Sequence, residues 1–336
     1  MPPILPLRSR WRPLPPALVV IVFCAAALVT GCSSVDHIRA LRDAQDDFSK
    51  AAQAENEQSF RSLFPDKQRL DDLVAGKDEA RQPAFAETAF RQYVDVAQRL
   101  GALESASAAQ LKQDGLYAQT IALRTFAEWR ANYHANVLRV ANGQPPASRP
   151  AGGDPAAATR PAWEPEALTG IAARAMAITG NTDLSAQLYP RDQFLLQHLP
   201  SLIDYDTALV RYLQANRLTG AGKASEIVAA VTTMARADQA LAQSRPEGPS
   251  RDFTTYWWMA RLTMLTTARK VLAANDDANN PALRVAKSTL NAQVAAFRDD
   301  LANEDKGAPF RRLLIQQNVT TEADFNTWAS EKFAPL

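Results

Sequence analysis

Side chains that commonly act as nucleophiles or metal ligands are scarce in this chain of 336 residues, which has two cysteines and three histidines. Cys32 has the clearest chemistry, because a cysteine thiolate is a strong nucleophile near neutral pH. It follows Gly31, and a residue without a side chain lets an enzyme approach the neighbouring backbone closely. Among these residues, Cys32 is therefore the first candidate for chemistry.

The segment before Cys32 has the order of parts that is typical of export signals. Its start is basic between residues 8 and 12, an apolar run follows over residues 17–29, and small residues come next. The run is shorter than the roughly 20 residues that a helix needs to cross a bilayer, which favours a cleaved signal over a permanent span. Cys24 lies in this run and would leave with the signal, so we expect no disulfide in the mature chain.

The sequence Val29-Thr30-Gly31-Cys32 resembles the lipobox of bacterial lipoproteins. In that family the cysteine receives a diacylglycerol through a thioether before the signal is cut, and acyl chains such as palmitate then hold the protein on a membrane. Leu is more common than Val at the first position, and Ala or Ser more common than Thr at the second. The resemblance implies that residues 1–31 are a signal peptide and that the membrane is bound through lipid on Cys32. A signal in which Cys32 is incidental is the alternative.

The residues after Cys32 bear on the location of such a lipoprotein. By the same resemblance, Ser33 and Ser34 lack the aspartate that typically retains these proteins in the inner membrane of Gram-negative bacteria. For a Gram-negative source, the resemblance therefore implies an outer-membrane lipoprotein that faces the periplasm.

The charge of the chain argues against a nucleic-acid partner. The formal net charge is +1, and because three arginines and no acids precede Cys32, a chain that begins there has a formal charge of −2. Proteins that bind nucleic acid need a basic face that displaces the counterions of the phosphates.

The sequence contains no familiar catalytic or metal-binding motif. His37, His134 and His198 have no partner at the spacing of metal ligands, and no phosphate loop, zinc-protease motif or serine elbow occurs. We therefore predict no metal, no cofactor and no enzyme. Two carboxylates alone could serve a hydrolase of the cell wall, and Glu128 beside Trp129 is the candidate for such a role, with a solvated helix face as the alternative.

Three consecutive aromatic residues, Tyr256, Trp257 and Trp258, are followed one helical turn later by Arg261. On a helix three consecutive side chains span about 200°, so they cannot all enter one core. Packing between helices is the leading interpretation of these four residues. A partner-binding surface is the second, because Trp, Tyr and Arg are enriched at the energetic centres of interfaces, and contact with a glycan or small ligand is the third.

The pattern that positions these residues is helical from residue 35 onward, with no segment that alternates as a strand would. An all-α fold of about ten helices in stacked hairpins is predicted, with a clear helix from Pro281 that Asn280 caps. Its apolar stripe consists of Leu283, Ala286, Leu290, Val294, Phe297 and Leu301. Further helices are predicted near 84–104, 115–141, 223–243 and 251–274, after Pro165 as far as Ile178, near Pro190, and from Thr321.

Composition divides the chain into regions. Residues 1–31 form the predicted signal, residues 32–142 an N-terminal helical region, and residues 166–336 a C-terminal helical region that we expect to pack on the first. The stretch 143–165 is rich in Pro, Ala and Gly, which indicates a flexible loop or linker.

The mix of small and large apolar residues between Tyr117 and Val140 resembles a tetratricopeptide helix pair, with Leu123 aligned to the consensus leucine. The first helix, with Ala44 and Phe48, resembles the same family. Departures from its consensus are Arg124 for the glycine, Ala127 for the tyrosine and Asn136 for a small residue. No 34-residue period is present, so any repeats are degenerate. The resemblance implies a superhelical array with a concave binding face.

Three functions remain open from the sequence. The leading interpretation is a lipid-tethered, non-catalytic scaffold that binds an envelope protein or a peptide, since tetratricopeptide-like outer-membrane lipoproteins include assembly factors of that kind. A ligand-binding accessory of an envelope transport system predicts a closed pocket near residues 256–261. A cell-wall hydrolase predicts two facing acids within about 10 Å in a cleft.

Overall fold

A computed structural model describes residues 35–54, 83–144, 168–244, 251–275, 277, 279–303, 307, 310, 314 and 321–333. These residues form eleven helices and contain no strand, which confirms the predicted all-α class with about ten helices. The predicted signal peptide with Cys32, and the part of the predicted linker from residue 145 onward, lie outside the described residues.

The helices follow one another in the chain with these bounds: α1 35–54, α2 Pro83–Gln113, α3 Tyr117–Ala141, α4 Leu168–Thr179, α5 Thr182–Ser185, α6 Pro190–Gln197, α7 Leu199–Ala215, α8 Gly220–Gln243, α9 Arg251–Ala273, α10 Pro281–Ala302 and α11 Glu322–Phe333. None of them combines the length and the apolar composition that a crossing of the bilayer requires.

Helices α2 and α3 form an antiparallel hairpin on which α1 packs. The turn is a Schellman motif, in which Leu116 N donates to Leu111 O at 2.8 Å and Gly115 takes a positive φ of 70°. Helix α2 extends beyond the predicted 84–104 because it continues through a kink at Ser107, where φ is −138°. An apolar cluster joins the three helices through Leu41, Ala44, Val96, Ala97, Leu100, Leu123 and Ala127.

Helix α3 joins the N-terminal region to the C-terminal one, because it contacts α4 and α7 as well as α2. Between these contacts an apolar cluster is made of Ala118, Ile121, Ala122, Phe126, Ile171, Ala175, Ile178, Leu188, Leu196, Leu199 and Ile203. Proline at the start of α6 and within the first turn of α7 suits positions where a backbone N–H would have no helical partner.

The C-terminal region is organised around α8, which contacts α7, α9 and α10. The capping prediction for α10 is confirmed, because the Asn280 side chain accepts from Ala282 N at 3.0 Å and Leu283 N at 3.3 Å. All six residues of its predicted stripe are buried. At the start of α11, Thr321 Oγ1 accepts from Asp324 N at 3.0 Å and Asp324 Oδ2 accepts from Thr321 N at 2.9 Å, which is a reciprocal cap.

Candidate functional site

The aromatic cluster on α9 lies in the interior of the array. Trp257, Trp258 and Arg261 have 2%, 1% and 2% of their surface exposed, respectively. Packing between helices, the leading interpretation of the cluster, therefore describes these three residues, whose side chains offer almost no surface to a partner. The side chain of Tyr256, the fourth predicted residue, lies outside the described part of the chain.

The two indoles pack on different elements, which explains how neighbouring residues can both be buried. Trp257 Nε1 donates to Leu241 O of α8 at 2.7 Å. The Trp258 ring lies edge-on to Phe297 of α10 with the centroids 5.3 Å apart, and 5.8 Å from the ring of Phe310. Consecutive side chains on a helix point in different directions, but α9 has a neighbouring helix on each of these sides, so both rings can be buried.

Arg261 is the centre of a buried ion-pair cluster. Its Nε donates to Asp238 Oδ1 at 2.8 Å, and its Nη1 donates to Asp300 Oδ2 at 3.2 Å. The guanidinium carbon also lies 4.9 Å from the ring centroids of both Trp257 and Phe297, where the electron-rich face of a ring stabilises a cation. One side chain of α9 thus connects α8 and α10 by charge and by stacking.

Burial raises the pKa of Asp238 above its ordinary value, and the charge and hydrogen bonds of Arg261 act in the opposite direction. A carboxyl group with a raised pKa beside a second acid, here Asp300, is the combination that acid-base chemistry uses. Asp238 is nevertheless 1% exposed, and Arg261 contacts both of its oxygens, at 2.8 and 3.4 Å. A substrate cannot reach these oxygens without displacing the arginine, so the arrangement supports packing rather than catalysis.

Glu128, the other carboxylate considered for catalysis, belongs to a second internal cluster. It is 5% exposed and accepts from Arg124 Nε at 2.8 Å and from Arg174 Nη1 at 2.6 Å. Arg124 also donates to Glu104 Oε2 at 2.7 Å. The interpretation of Glu128 as part of a solvated helix face is wrong, because the carboxylate is buried between two arginines that join α2, α3 and α4. This packing also gives no support to the catalytic interpretation.

A small cavity lies between α3 and α7, next to a third ion pair. Arg130 Nη1 of α3 donates to Asp206 Oδ2 of α7 at 2.6 Å, and the guanidinium lies 4.4 Å from the ring centroid of Tyr133 and 5.1 Å from that of Trp129. The cavity has a volume of about 30 Å³, room for a water molecule or two but not for a metabolite. Its lining consists of Trp129, Tyr133, Asn136, Leu168, Ile203, Asp206, Thr207 and Val210.

The three histidines have different surroundings. His134 is fully buried and stacks on Tyr93 with the ring centroids 5.9 Å apart. His198 is buried at the junction of α6 and α7, and its desolvation lowers the pKa of the imidazole to about 4. His37 Nδ1 of α1 lies 3.8 Å from Asp114 Oδ2. Among the described residues, no group of three His, Cys, Asp or Glu side chains could hold a metal ion.

Large apolar side chains are exposed at a few positions of the described surface. Their exposed fractions are 53% for Val35, 45% for Ile38, 63% for Met176, 62% for Tyr189, 37% for Leu218 and 67% for Val285. Two of them lie at the start of α1, and Met176 and Tyr189 lie on α4 and immediately before α6. These positions, rather than the cluster on α9, are where the described chain offers apolar groups to a partner.

No sequence motif singles out Asp238 or Arg261, but helical spacing does. Asp238 lies four residues after Met234 and three before Leu241, so it falls on the apolar stripe of α8 and occupies a core position. A charged residue at such a position indicates a buried partner. Comparison with known proteins adds nothing to this geometry, since no protein family, curated protein or solved structure matches the chain.

Proposed function

We propose that this chain is an envelope lipoprotein that lipid on Cys32 holds at the outer membrane, where it presents a non-catalytic helical scaffold to a protein or peptide partner in the periplasm. The observation that carries the proposal is Val29-Thr30-Gly31-Cys32 at the end of a basic and then apolar segment. Two or three acyl chains on one cysteine hold a protein durably on a bilayer, because each buried methylene contributes roughly 0.8 kcal/mol.

The use of charge inside the array supports a scaffold over an enzyme. Glu128, Asp206 and Asp238 each contact an arginine of another helix at 2.6 to 2.8 Å. Carboxylates held in this way fix helices against one another and have no free face for a substrate. The cell-wall hydrolase is therefore the weaker alternative, although Asp238 and Asp300 share one arginine.

The packing of α9 also weakens the transport-accessory alternative. That alternative predicts a closed pocket beside residues 256–261, where Trp257, Trp258 and Arg261 fill the space between α8 and α10. The antiparallel hairpins α2–α3 and α7–α8 support the proposal that the array is tetratricopeptide-like. Met176 and Tyr189 are the side chains that we propose for the partner surface, because both residue types are enriched at interfaces.

The two cysteines provide a matched test of the anchor. We expect Cys32→Ser to abolish acylation and to change membrane fractionation and the intact mass of the product. Cys24→Ser is the control, because that residue leaves with the signal. Unchanged fractionation and mass for Cys32→Ser would refute the lipoprotein proposal.

Site-specific cross-linking in the native envelope tests the scaffold. A photoreactive residue at position 176 or 189 is expected to capture the same protein, whereas the equally exposed position 285 on α10 serves as the control. Capture of no reproducible protein from 176 and 189, or the same products from 285, would contradict a specific partner surface there.

A further inference from the structure

We propose that the first two turns of α1 form a second, non-covalent membrane contact that lies on anionic phospholipid headgroups. This contact surface consists of Val35, Ile38, Arg39 and Arg42. The inference rests on the proposed lipid on Cys32 and adds to it, because it concerns how the array is oriented on the bilayer rather than whether it is anchored.

The contact surface lies close to the proposed anchor whatever conformation the intervening residues adopt. Val35 follows Cys32 by three positions. A chain spans at most about 3.6 Å per residue, so the Cα atom of Val35 lies within roughly 11 Å of that of the lipid-bearing residue. The polar headgroup region of a bilayer leaflet is about 5 to 8 Å deep. The start of α1 is therefore held at the headgroups or within a few ångströms of them once Cys32 is acylated.

The four side chains point to the same side of α1, away from the protein. All four are exposed, with 53% of Val35 and 45% of Ile38 open to solvent. At 100° per residue they fall within about 100° of arc. Ala44 on the opposite side and Leu41, about 110° from the centre of the contact surface, are 1% and 3% exposed and pack against α2 and α3. The outward side of the first two turns thus combines two apolar groups with two cations.

The acids of α1 lie where they oppose this contact least. Asp36 and Asp43 are exposed, but they project about 90° to 110° around the helix from the centre of the contact surface. Asp46 shares the direction of Val35 and lies about 17 Å beyond it along the axis, about 6 Å beyond Arg42 at the far end of the contact surface. On the side that carries the contact surface, Arg39 and Arg42 therefore come before the acid Asp46, the order expected for a helix that touches an anionic surface only at its start.

The contact is expected to be weak by itself and effective beside the anchor. Each arginine close to an anionic surface strengthens binding about fivefold. The lipid on Cys32 keeps the contact surface at a high effective concentration, so even weak attraction fixes an orientation. Since Leu41 and Ala44 fix α1 against α2 and α3, the orientation of α1 would set that of the array.

Fluorescence quenching in vesicles tests this contact. The mature acylated chain is expected to have no free thiol, because Cys24 leaves with the signal and Cys32 carries lipid. A single environment-sensitive label at Ile38→Cys is therefore specific, and the label at Val285→Cys is the matched control on α10. Both proteins are reconstituted in vesicles of phosphatidylcholine and phosphatidylglycerol, with brominated lipid as the quencher. We expect at least twofold stronger quenching at position 38 than at position 285.

A second variant tests the electrostatic part. Arg39→Gln with Arg42→Gln in the Ile38→Cys protein is expected to lower quenching toward the level of position 285, and high salt is expected to do the same to the parent. Acylated protein with equal quenching at both positions overturns the inference alone. A label at position 38 that is shielded from water but not quenched by brominated lipid indicates a protein occupant and also overturns it. An intact mass without acyl groups overturns the proposed anchor together with this inference.

Discussion

Replacing Arg261 by methionine is expected to destabilise the fold through the carboxylate that it leaves behind. Methionine keeps most of the length and apolar volume of the arginine stem but removes the charge that faces Asp238 and Asp300. Asp238 is 1% exposed, so water cannot replace the lost donors without opening the contacts between α8, α9 and α10.

The magnitude follows from the burial of the pair. Removal of one partner from a buried ion pair costs about 3 to 5 kcal/mol, because an uncompensated charge remains. Protonation of Asp238 limits this cost, since burial raises its pKa and the loss of Arg261 would raise it further. We therefore expect a loss of about 3 kcal/mol in the free energy of unfolding near pH 7.5, which lowers a urea midpoint by about 1 M in a protein of this size.

The dependence on pH identifies the carboxylate as the cause. For an acid whose pKa is raised in the folded state, the folded chain binds a proton that the unfolded chain releases between the ordinary and the raised pKa values. Stability from this group is therefore lost as pH rises through the raised pKa and is regained as pH falls. The cost of Arg261→Met should shrink when urea unfolding of the chain from Ser33 to Leu336 is repeated near pH 5.

Two comparisons make the result decisive. Arg211→Met is the control, because Arg211 lies 3.7 Å from Glu226 with 43% of its side chain exposed, and such a pair contributes about 1 kcal/mol at most. Adding Asp238→Leu to Arg261→Met removes both charges and is expected to recover most of the loss. An Arg261→Met loss equal to that of Arg211→Met, or one that grows at low pH, would refute the reasoning.

Three further predictions concern stability and are checked by urea unfolding. Glu128→Gln, which removes the charge between two arginines, is expected to lower the free energy of unfolding by about 2 to 3 kcal/mol. The same change at the exposed Glu87 should lower it by under about 0.5 kcal/mol. Equal effects would contradict the burial argument. Burial lowers the pKa of His198 from 6.5 to about 4, so between these pH values only the unfolded chain binds a proton at this residue. The stability that this residue contributes above pH 6.5 is therefore expected to fall by about 2 to 3 kcal/mol as pH approaches 4. His198→Gln should remove this part of the pH dependence, and an unchanged profile would count against it. Gly220→Ala should destabilise the fold by about 1 kcal/mol, because φ is 57° there. Gly222→Ala should stabilise it by about 0.5 kcal/mol, because the added Cβ atom would lie 3.9 Å from its nearest neighbour, Leu218 Cδ1. A gain at both positions would argue against the left-handed turn.

Local patterns in the sequence predict the helices well where caps and stripes agree. In α10 the cap at Asn280, the proline after it and the six-residue stripe all indicate the helix that forms. The sequence predicts an end of α2 near residue 104, because the last turns carry few large apolar residues and the periodicity weakens after Leu103. The backbone nevertheless continues as a helix through the kink at Ser107. Boundaries of this kind depend on packing against α3, which the local pattern does not contain.

The candidate site is predicted less well because its partners are distant in sequence. Arg261 pairs with Asp238 and Asp300 on two other helices, and no local rule connects these positions. Aromatic residues beside an arginine look the same in sequence at an interface and in a core, since both environments favour them. What the sequence does contain is the spacing of Trp258, Arg261 and Leu265, which places the arginine on a buried face.

Through the contacts of α3 with α4 and α7, side chains from both helical regions meet across one boundary. Arg130 and Asp206 form a partly buried ion pair across this boundary, and the apolar cluster around Ile121 and Ile171 contains residues from both sides. Two polypeptides, one ending at Gln144 and the other starting at Leu168, therefore carry complementary halves of a single interface. Their co-expression is expected to return a heterodimer, the behaviour of a split protein.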